Sequence, residues 1–442
     1  MYAPPEGGVP AGEDDFAAVD AWWRGFGDET TSMLVEQALE NNTDLAAASA
    51  RVMQAAAVLT EISGRQWPEI SYAFDLSRDK RSFKFGPRRF SNLATTYSHA
   101  ISVSYVVDLF GRLRHATKAA AADLLAAEAA RGTVVNSLVA SVVKSRVEIA
   151  TLQRRLAIAR ADSQSRQKTL DVVERRYAHG LVPVVDVRLA RENLEASKAA
   201  GLELDLSLAT ARNALAVLLG KPPAELDAAP ETLPDLPDLG AVPVGIPAQL
   251  LRRRPDVRSA ELALIASNDR IGVRIAELYP DLTLSASLGN AADRWRDMWI
   301  GATETYGAAM HLAQPFFKGR QLQARVRAER ARFDELAADY GGRVLAAIGE
   351  VEDALYTERV LREMLVHVRS RLEEAGAAER LTARRYEQGV ESILTTLDTQ
   401  RRRRAAEEQL AVLRQRIWNT RINVFLAIGG DWEVSDTDGG DA

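Results

Sequence analysis

The sequence predicts a mainly α-helical, internally duplicated chain whose four β-strands join a membrane β-barrel built by several copies. Three observations predict it. First, Arg384–Gly429 lies over Arg175–Gly220 at a shift of 209 residues, matching Arg175/Arg384, Arg176/Arg385, Tyr177/Tyr386, Gly180/Gly389, Leu204/Leu413, Arg212/Arg421 and Gly220/Gly429. A repeat of this kind fixes architecture before any local reading. Second, residues 88–182 and 316–442 hold no proline. Proline costs about 3 kcal/mol inside a helix, so such gaps fit very long helices. Third, four short stretches alternate apolar residues with Ser, Thr, Ala or Gly, the period of a strand.

Composition excludes several classes. The 442 residues carry a net charge of −5 and no cysteine. There is no basic nucleic-acid footprint, and disulfides and thiolate metal sites are ruled out. The five histidines have no ligand-like spacing. No Ser/His/Asp set or phosphate loop appears, so neither an enzyme nor a cofactor is expected. No run of about 18 or more apolar residues predicts a transmembrane helix. The opening MYAPPEGG lacks a signal peptide's pattern, as in a cytoplasmic chain or a mature secreted one.

In chain order, residues 1–28 form a polar tail ending in AWWRGFGD. A helix runs from about Thr30 to Ser63, with a break and recap at Asn42 and Asp44. After Pro68, Ile70, Tyr72, Phe74 and Leu76 alternate with Ser71, Ala73, Asp75 and Ser77. A basic loop, Lys80–Arg89, leads to a second strand with Tyr97, Ile101, Val103, Tyr105 and Val107 on one face. Gly111-Arg112 opens a helix to Ala178, about 100 Å long at 1.5 Å per residue. A turn at Gly180 and Pro183 and another helix end at Gly220. The proline cluster within 221–250 reads as a linker. The second copy repeats the plan: a hairpin with Leu282, Leu284, Ala286 and Leu288 facing Tyr306, Ala308, Met310 and Leu312, then a long helix from Gly319-Arg320. In that helix Phe333, Leu336, Tyr340, Val344, Ile348, Val351 and Leu355 predict a coiled-coil seam. The domains are therefore residues 1–220 (hairpin 68–109), the linker 221–250, and residues 251–442 (hairpin 280–315).

An apolar face opposite a small-polar face suits a lipid-embedded barrel. Backbone groups in lipid must all be paired, so the sheet must close. Four strands cannot, since bacterial barrels have eight or more. A trimer, giving twelve strands, leaves an aqueous channel more comfortably than a dimer. A soluble coiled-coil scaffold and a periplasmic adaptor are the rival readings.

The order and spacing of SYVVDLFGRLR (104–114), LRRRPDVRSAE (251–261), IGVRIAELYPDLTLSASLG (271–289), QPFFKGR (314–320), GEVEDAL (349–355), RRYEQGVESILTTLDTQR (384–401) and AIGGDW (427–432) resemble the outer-membrane factors of tripartite efflux systems. These are the TolC-like proteins, and the similarity is greatest to their OprM-type branch. The resemblance covers nearly the whole chain. It implies a homotrimeric channel-tunnel, with a twelve-stranded barrel in outer-membrane lipid and a long coiled-coil α-barrel in the periplasm. It implies docking to a periplasmic adaptor and an inner-membrane transporter of the RND class. Drugs or other small toxic molecules would be the cargo of a passive conduit. Family members often carry an acylated N-terminal cysteine, and this chain departs from that pattern.

The resemblance also places a gate. Glu391 stands where OprM-type members have an acidic gate residue, Asp398 on a constriction aspartate, and Tyr386 on a tyrosine that helps hold the tip closed. Thr395 replaces a second aspartate found in TolC. Arg385 is expected to support the closed tip. Glu391 and Asp398, seven residues apart, are expected on one helical face. Tyr177, Gly180, Pro183 and Gly389 are the expected adaptor-docking turns, and no metal site is expected. Without the resemblance these residues read as helix-end charges and turn chemistry. Arg401–Arg404 beside Glu407 and Glu408 reads as a solvated, ion-paired face. His99 and His311 read as strand residues at matching places, Trp22, Trp23, Phe26 and Trp432 as a belt, and Trp295 and Trp299 as a membrane-interface pair.

Overall fold

A computed structural model describes residues 22–85, 87–223 and 253–429. The expected linker past residue 223, the first 21 residues and Trp432 lie outside the described residues. The elements run α1 (Glu29–Asn41), α2 (Thr43–Gly64), β1 (Glu69–Phe85), β2 (Arg88–Val107), α3 (Arg112–Ala178) and α4 (Val184–Leu218). After the linker come α5 (Pro255–Ala276), β3 (Asp281–Ala292), β4 (Glu304–Ala313), α6 (Gln321–Glu387) and α7 (Ile393–Ile428). Among the described residues two compact units form: a sheet unit from 49–130 and 257–343, and a helical unit from residues up to 48, 131–256 and 344 onward. Each draws on both sequence repeats.

In the sheet unit, four antiparallel strands pair in the order β1-β2-β3-β4. The registers align the apolar sets into rows on one face. Ile70 pairs with Val103, which pairs with Ala286, which pairs with Ala308. Tyr72 pairs with Ile101, then Leu288, then Tyr306. Ser71, Ser102, Ser287 and Gly307 share the other face. Gly289 fits because a Cβ there would approach the His99 carbonyl oxygen to 1.9 Å. The apolar row has no cover among the described residues: Ile70, Tyr72, Leu288, Tyr306 and Met310 are all exposed.

Two expectations change here. Most of the expected basic loop Lys80–Arg89 is strand instead: β1 runs to Phe85 and β2 begins at Arg88, with Lys80 opposite Leu93 and Arg81 opposite Asn92. An antiparallel hairpin open to water on a face tolerates charged side chains, so the ladder outruns the apolar alternation. His99 and His311 do not occupy matching places. His99 pairs with Phe74 on the apolar face, whereas His311 pairs with Thr283 on the polar one.

The helical unit follows from its stops and caps. Glycines in the left-handed region end α3, α4, α6 and α7: Gly180 (φ 72), Gly220 (φ 67), Gly389 (φ 81) and Gly429 (φ 87). Leu181 N–H donates to the Arg176 carbonyl and Val390 N–H to the Arg385 carbonyl, which caps the orphan carbonyls of both long helices. The α1–α2 break is a recap: Asn42 Oδ1 accepts from the Asp44 and Leu45 N–H groups at 2.9 and 3.1 Å, and its Nδ2 donates to Leu218 O. In the sheet unit, the Asp108 carboxylate caps α3 by accepting from Leu113 and Arg114 N–H.

The helical core joins Trp22, Trp23 and Phe26 to Trp418 and Phe425. Trp22 stacks on Phe425 with ring centroids 5.0 Å apart. The belt expected of the N-terminal aromatics thus packs inside the helical unit. The expected seam of α6 is shifted by one residue. Ala347, Ala354, Leu361 and Val368 are buried at heptad spacing, while Ile348 is exposed. Small alanines allow close helix approach there, and the bulkier neighbours flank the contact.

Candidate functional site

The expected gate and docking residues sit at two turns of the helical unit, one between α3 and α4 and one between α6 and α7. The turns use the same Arg-Tyr-x-x-Gly motif differently. Tyr177 of the first copy is exposed, whereas Tyr386 of the second is only 4 % exposed. Tyr386 packs with Leu170, Val173, Val187, Ala190, Leu194, Ile393 and Leu397. Arg176 reaches across from the first copy, with its guanidinium 4.8 Å from the Tyr386 ring centroid and Nη1 donating to the Tyr386 carbonyl oxygen at 2.5 Å. The Tyr386 hydroxyl is buried without a hydrogen-bond partner among the described residues. Burial pushes this phenol above its ordinary value, and the nearby Arg176 charge opposes that shift. A clamp between the two repeats results, and its cation is Arg176.

Pro183 (φ −76, ψ 159) is the N-cap residue of α4. Its carbonyl accepts from Asp186 N–H at 3.1 Å. Ser392 caps α7 by accepting from Thr395 N–H at 3.2 Å. Glu391 therefore precedes the helix, and helical periodicity does not place it on a common face with Asp398. Their partners differ accordingly. Glu391 lies 3.4 Å from Arg385 Nε. Asp398 accepts from Arg401 and Arg402, both at 2.6 Å. Hydrogen bonds from Arg401 and then Arg402 hold the Asp398 carboxyl below its ordinary 3.8.

Farther along the same helices lies a buried polar junction that sequence reading missed. Asp162 of α3 accepts from Arg166 (2.8 Å), from Ser197 of α4 (2.8 Å) and from Arg404 of α7 (3.0 Å). Arg166 also donates to the Asn193 side chain at 2.7 Å. Arg403 approaches Glu379 of α6 at 3.4 Å. Burial raises the Glu379 carboxyl above its usual range, with Arg403 opposing. The arginine run is thus only half a solvated face. Arg403 and Arg404 make the expected pairs with Glu407 and Glu408 yet also reach the half-buried Glu379 and the buried Asp162. The signal was present: Asp162 and Arg166 fall on the same stripe as Leu156, Ala159, Leu170 and Val173, all buried.

In the sheet unit, aromatic rings gather at both ends of the strands. At one end Trp295 lies 5.7 Å from Phe74 and 6.0 Å from Tyr97, and Trp299 lies 4.8 Å from His99. At the other, Phe110 stacks on Tyr279 at 4.7 Å, and Trp67, Phe316 and Phe317 are exposed. Two aromatic girdles bounding an apolar band are the pattern of an outer-membrane barrel wall.

Comparison with known proteins agrees with this layout. The model of the outer membrane efflux protein family matches residues 34–221 and again 246–430. The pyoverdine export outer membrane protein OpmQ of Pseudomonas aeruginosa is 33% identical over 439 residues, covering 98% of this chain and 91% of that protein. The solvent efflux pump outer membrane protein SrpC of Pseudomonas putida is 30% identical over 412 residues, covering 93% of this chain and 87% of that protein. The solved outer-membrane channel OprN superposes with a TM-score of 0.88 at 30% identity, covering 93% of each chain.

Proposed function

The chain belongs to the outer membrane efflux protein family, and from that premise we propose that three copies form one passive exit duct with a gate at the paired turns. Its place is the outer membrane, and its role is that of an efflux channel. The carrying observation is the sheet. Its outer edges, β1 and β4, have no partner among the described residues, and an open edge in lipid leaves every other backbone group unpaired. Pairing β4 of one copy with β1 of the next closes twelve strands, a number within the bacterial range. Much of α2 is also uncovered. It is 22 residues long with a mean hydropathy of 1.2 in its most apolar stretch, only 11% of which is buried. Composition alone would let this helix cross a membrane. Its small residues suit close packing against neighbouring copies instead.

Energy for transport comes from a pump partner, through an adaptor that docks at Tyr177, Gly180, Pro183 and Gly389. An RND transporter fits this arrangement. Cargo is a small organic molecule, in keeping with the pyoverdine and solvent named for the relatives. Light scattering in detergent is expected to give three chains per particle, and planar bilayers a steady conductance. A stable monomeric pore would overturn the shared barrel.

Two further outcomes follow from the same reading. Cysteines at Ser82 and Asp297, at the hairpin ends, are expected to react with an impermeant maleimide on intact cells. Labelling only after rupture of the outer membrane would reverse the topology. At the turns, Glu391→Ala combined with Asp398→Ala leaves Arg385, Arg401 and Arg402 without their acids. The reversal potential under a salt gradient is expected to move toward anion preference, away from any cation preference of the parent. An unchanged value would place both carboxylates away from the pore.

A further inference from the structure

We infer that the β1–β2 hairpin carries a cationic docking row, Arg78 and Lys80, for phosphate groups of glycolipids in the outer leaflet. It rests on the reading that the apolar sheet face meets lipid. The β1–β2 ladder keeps one register from Glu69↔Ser104 to Phe85↔Arg88. Alternation is therefore unbroken, and Ile70, Tyr72, Phe74, Leu76, Arg78 and Lys80 share a face. Asp75, Ser77, Asp79 and Arg81 share the other.

This sorting separates charge by face. Both carboxylates of the strand beyond its first residue lie on the channel side, while the first two side chains past Leu76 on the lipid side are cations. The aromatic cluster of Phe74, Tyr97 and Trp295 marks the level where apolar tails give way to headgroups. Arg78 stands two residues beyond Leu76, about 7 Å along the strand, and Lys80 about 14 Å. Both are exposed, and among the described residues neither has an acidic partner. Arg294 adds a third exposed cation beside Trp295. Cations just outside an aromatic girdle meet an anionic headgroup layer, and a guanidinium binds phosphate through two parallel N–H donors.

The test uses the full-length channel in phosphatidylethanolamine vesicles containing either phosphorylated or dephosphorylated lipid A, with the glycolipid retained per chain measured after detergent extraction. The parent is expected to retain the phosphorylated form with about tenfold preference, and Arg78→Glu/Lys80→Glu to lose it. The milder Arg78→Gln/Lys80→Gln is expected to fall between. Arg81→Glu, on the opposite face, is expected to keep it. Excess inorganic phosphate is expected to leave retention unchanged. Equal retention of the two lipids by the parent, a preference surviving in the double variant, or full displacement by inorganic phosphate would overturn the inference. Failure of the protein to enter vesicles at all would instead overturn the lipid-facing reading beneath it.

Discussion

Asp162→Ala is expected to destabilise the helical unit by about 3–5 kcal/mol, the cost of leaving a buried charge without its partner. Two cations meet at this one carboxylate, which is the acid that Arg166 pairs with, while Arg404 also keeps Glu408. Arg166 and Arg404 bind the same Oδ2 atom, and their side chains are only 6% and 17% exposed. Ser197, 1 % exposed, loses its acceptor as well. The contacts join α3, α4 and α7, so the loss is not confined to one helix. Urea unfolding of the detergent-solubilised protein, followed by circular dichroism, reads the effect. Asp162→Asn, which keeps one acceptor oxygen, is expected to lose less. Asp398→Ala is the contrast. Its arginine partners are 74% and 71% exposed, and solvent-exposed pairs contribute little. A midpoint for Asp162→Ala equal to that of the parent would mean that Arg166 and Arg404 find other acceptors.

The same contrast explains what the sequence could reveal. Helix positions were legible because proline gaps and turn glycines act locally: Gly180, Gly220, Gly389 and Gly429 all take the positive φ that only glycine adopts easily. Strand faces were legible because alternation is a local pattern, and the register then carried His99 to the face opposite His311. The far end of β1 was not legible. Its ladder past Leu76 is held by backbone pairing with β2, to which charged side chains are indifferent. Partners were not legible either. Nothing local distinguishes Tyr177 from Tyr386, or Arg176 from Arg385, because each pair sits in the same motif. Their different fates arise from which copy lies against the apolar cluster of Leu170, Val187 and Ile393. Arg385, expected to support the closed tip, pairs with Glu391, and the residue holding Tyr386 comes from the other repeat.

Arg176→Ala is accordingly expected to raise mean channel current, whereas Tyr386→Phe alone is expected to change it little. The phenol hydroxyl has no partner among the described residues, so removing it forfeits no hydrogen bond seen there. Its loss also relieves the burial of an unsatisfied polar atom. Arg176 makes two contacts to the second copy, a charged hydrogen bond to the Tyr386 carbonyl and the cation–π contact with its ring. At the low end of their usual ranges these sum to about 2 kcal/mol, or about thirtyfold in a two-state equilibrium. That change should appear as longer open times in single-channel records. Any accompanying shift of the reversal potential should be toward cation preference, because a cation is what has been removed. Arg176→Lys keeps the charge but loses the planar donor fork, and is expected to recover part of the parental closure. Tyr386→Ala, which empties a packed site among Leu170, Val173 and Leu397, is expected to loosen the turn as well, with a cost in stability that Arg176→Ala does not share. If Arg176→Ala leaves open times unchanged while Tyr386→Phe lengthens them, the hydroxyl finds a partner in the assembled channel, and the clamp is not the contact that keeps the turns together.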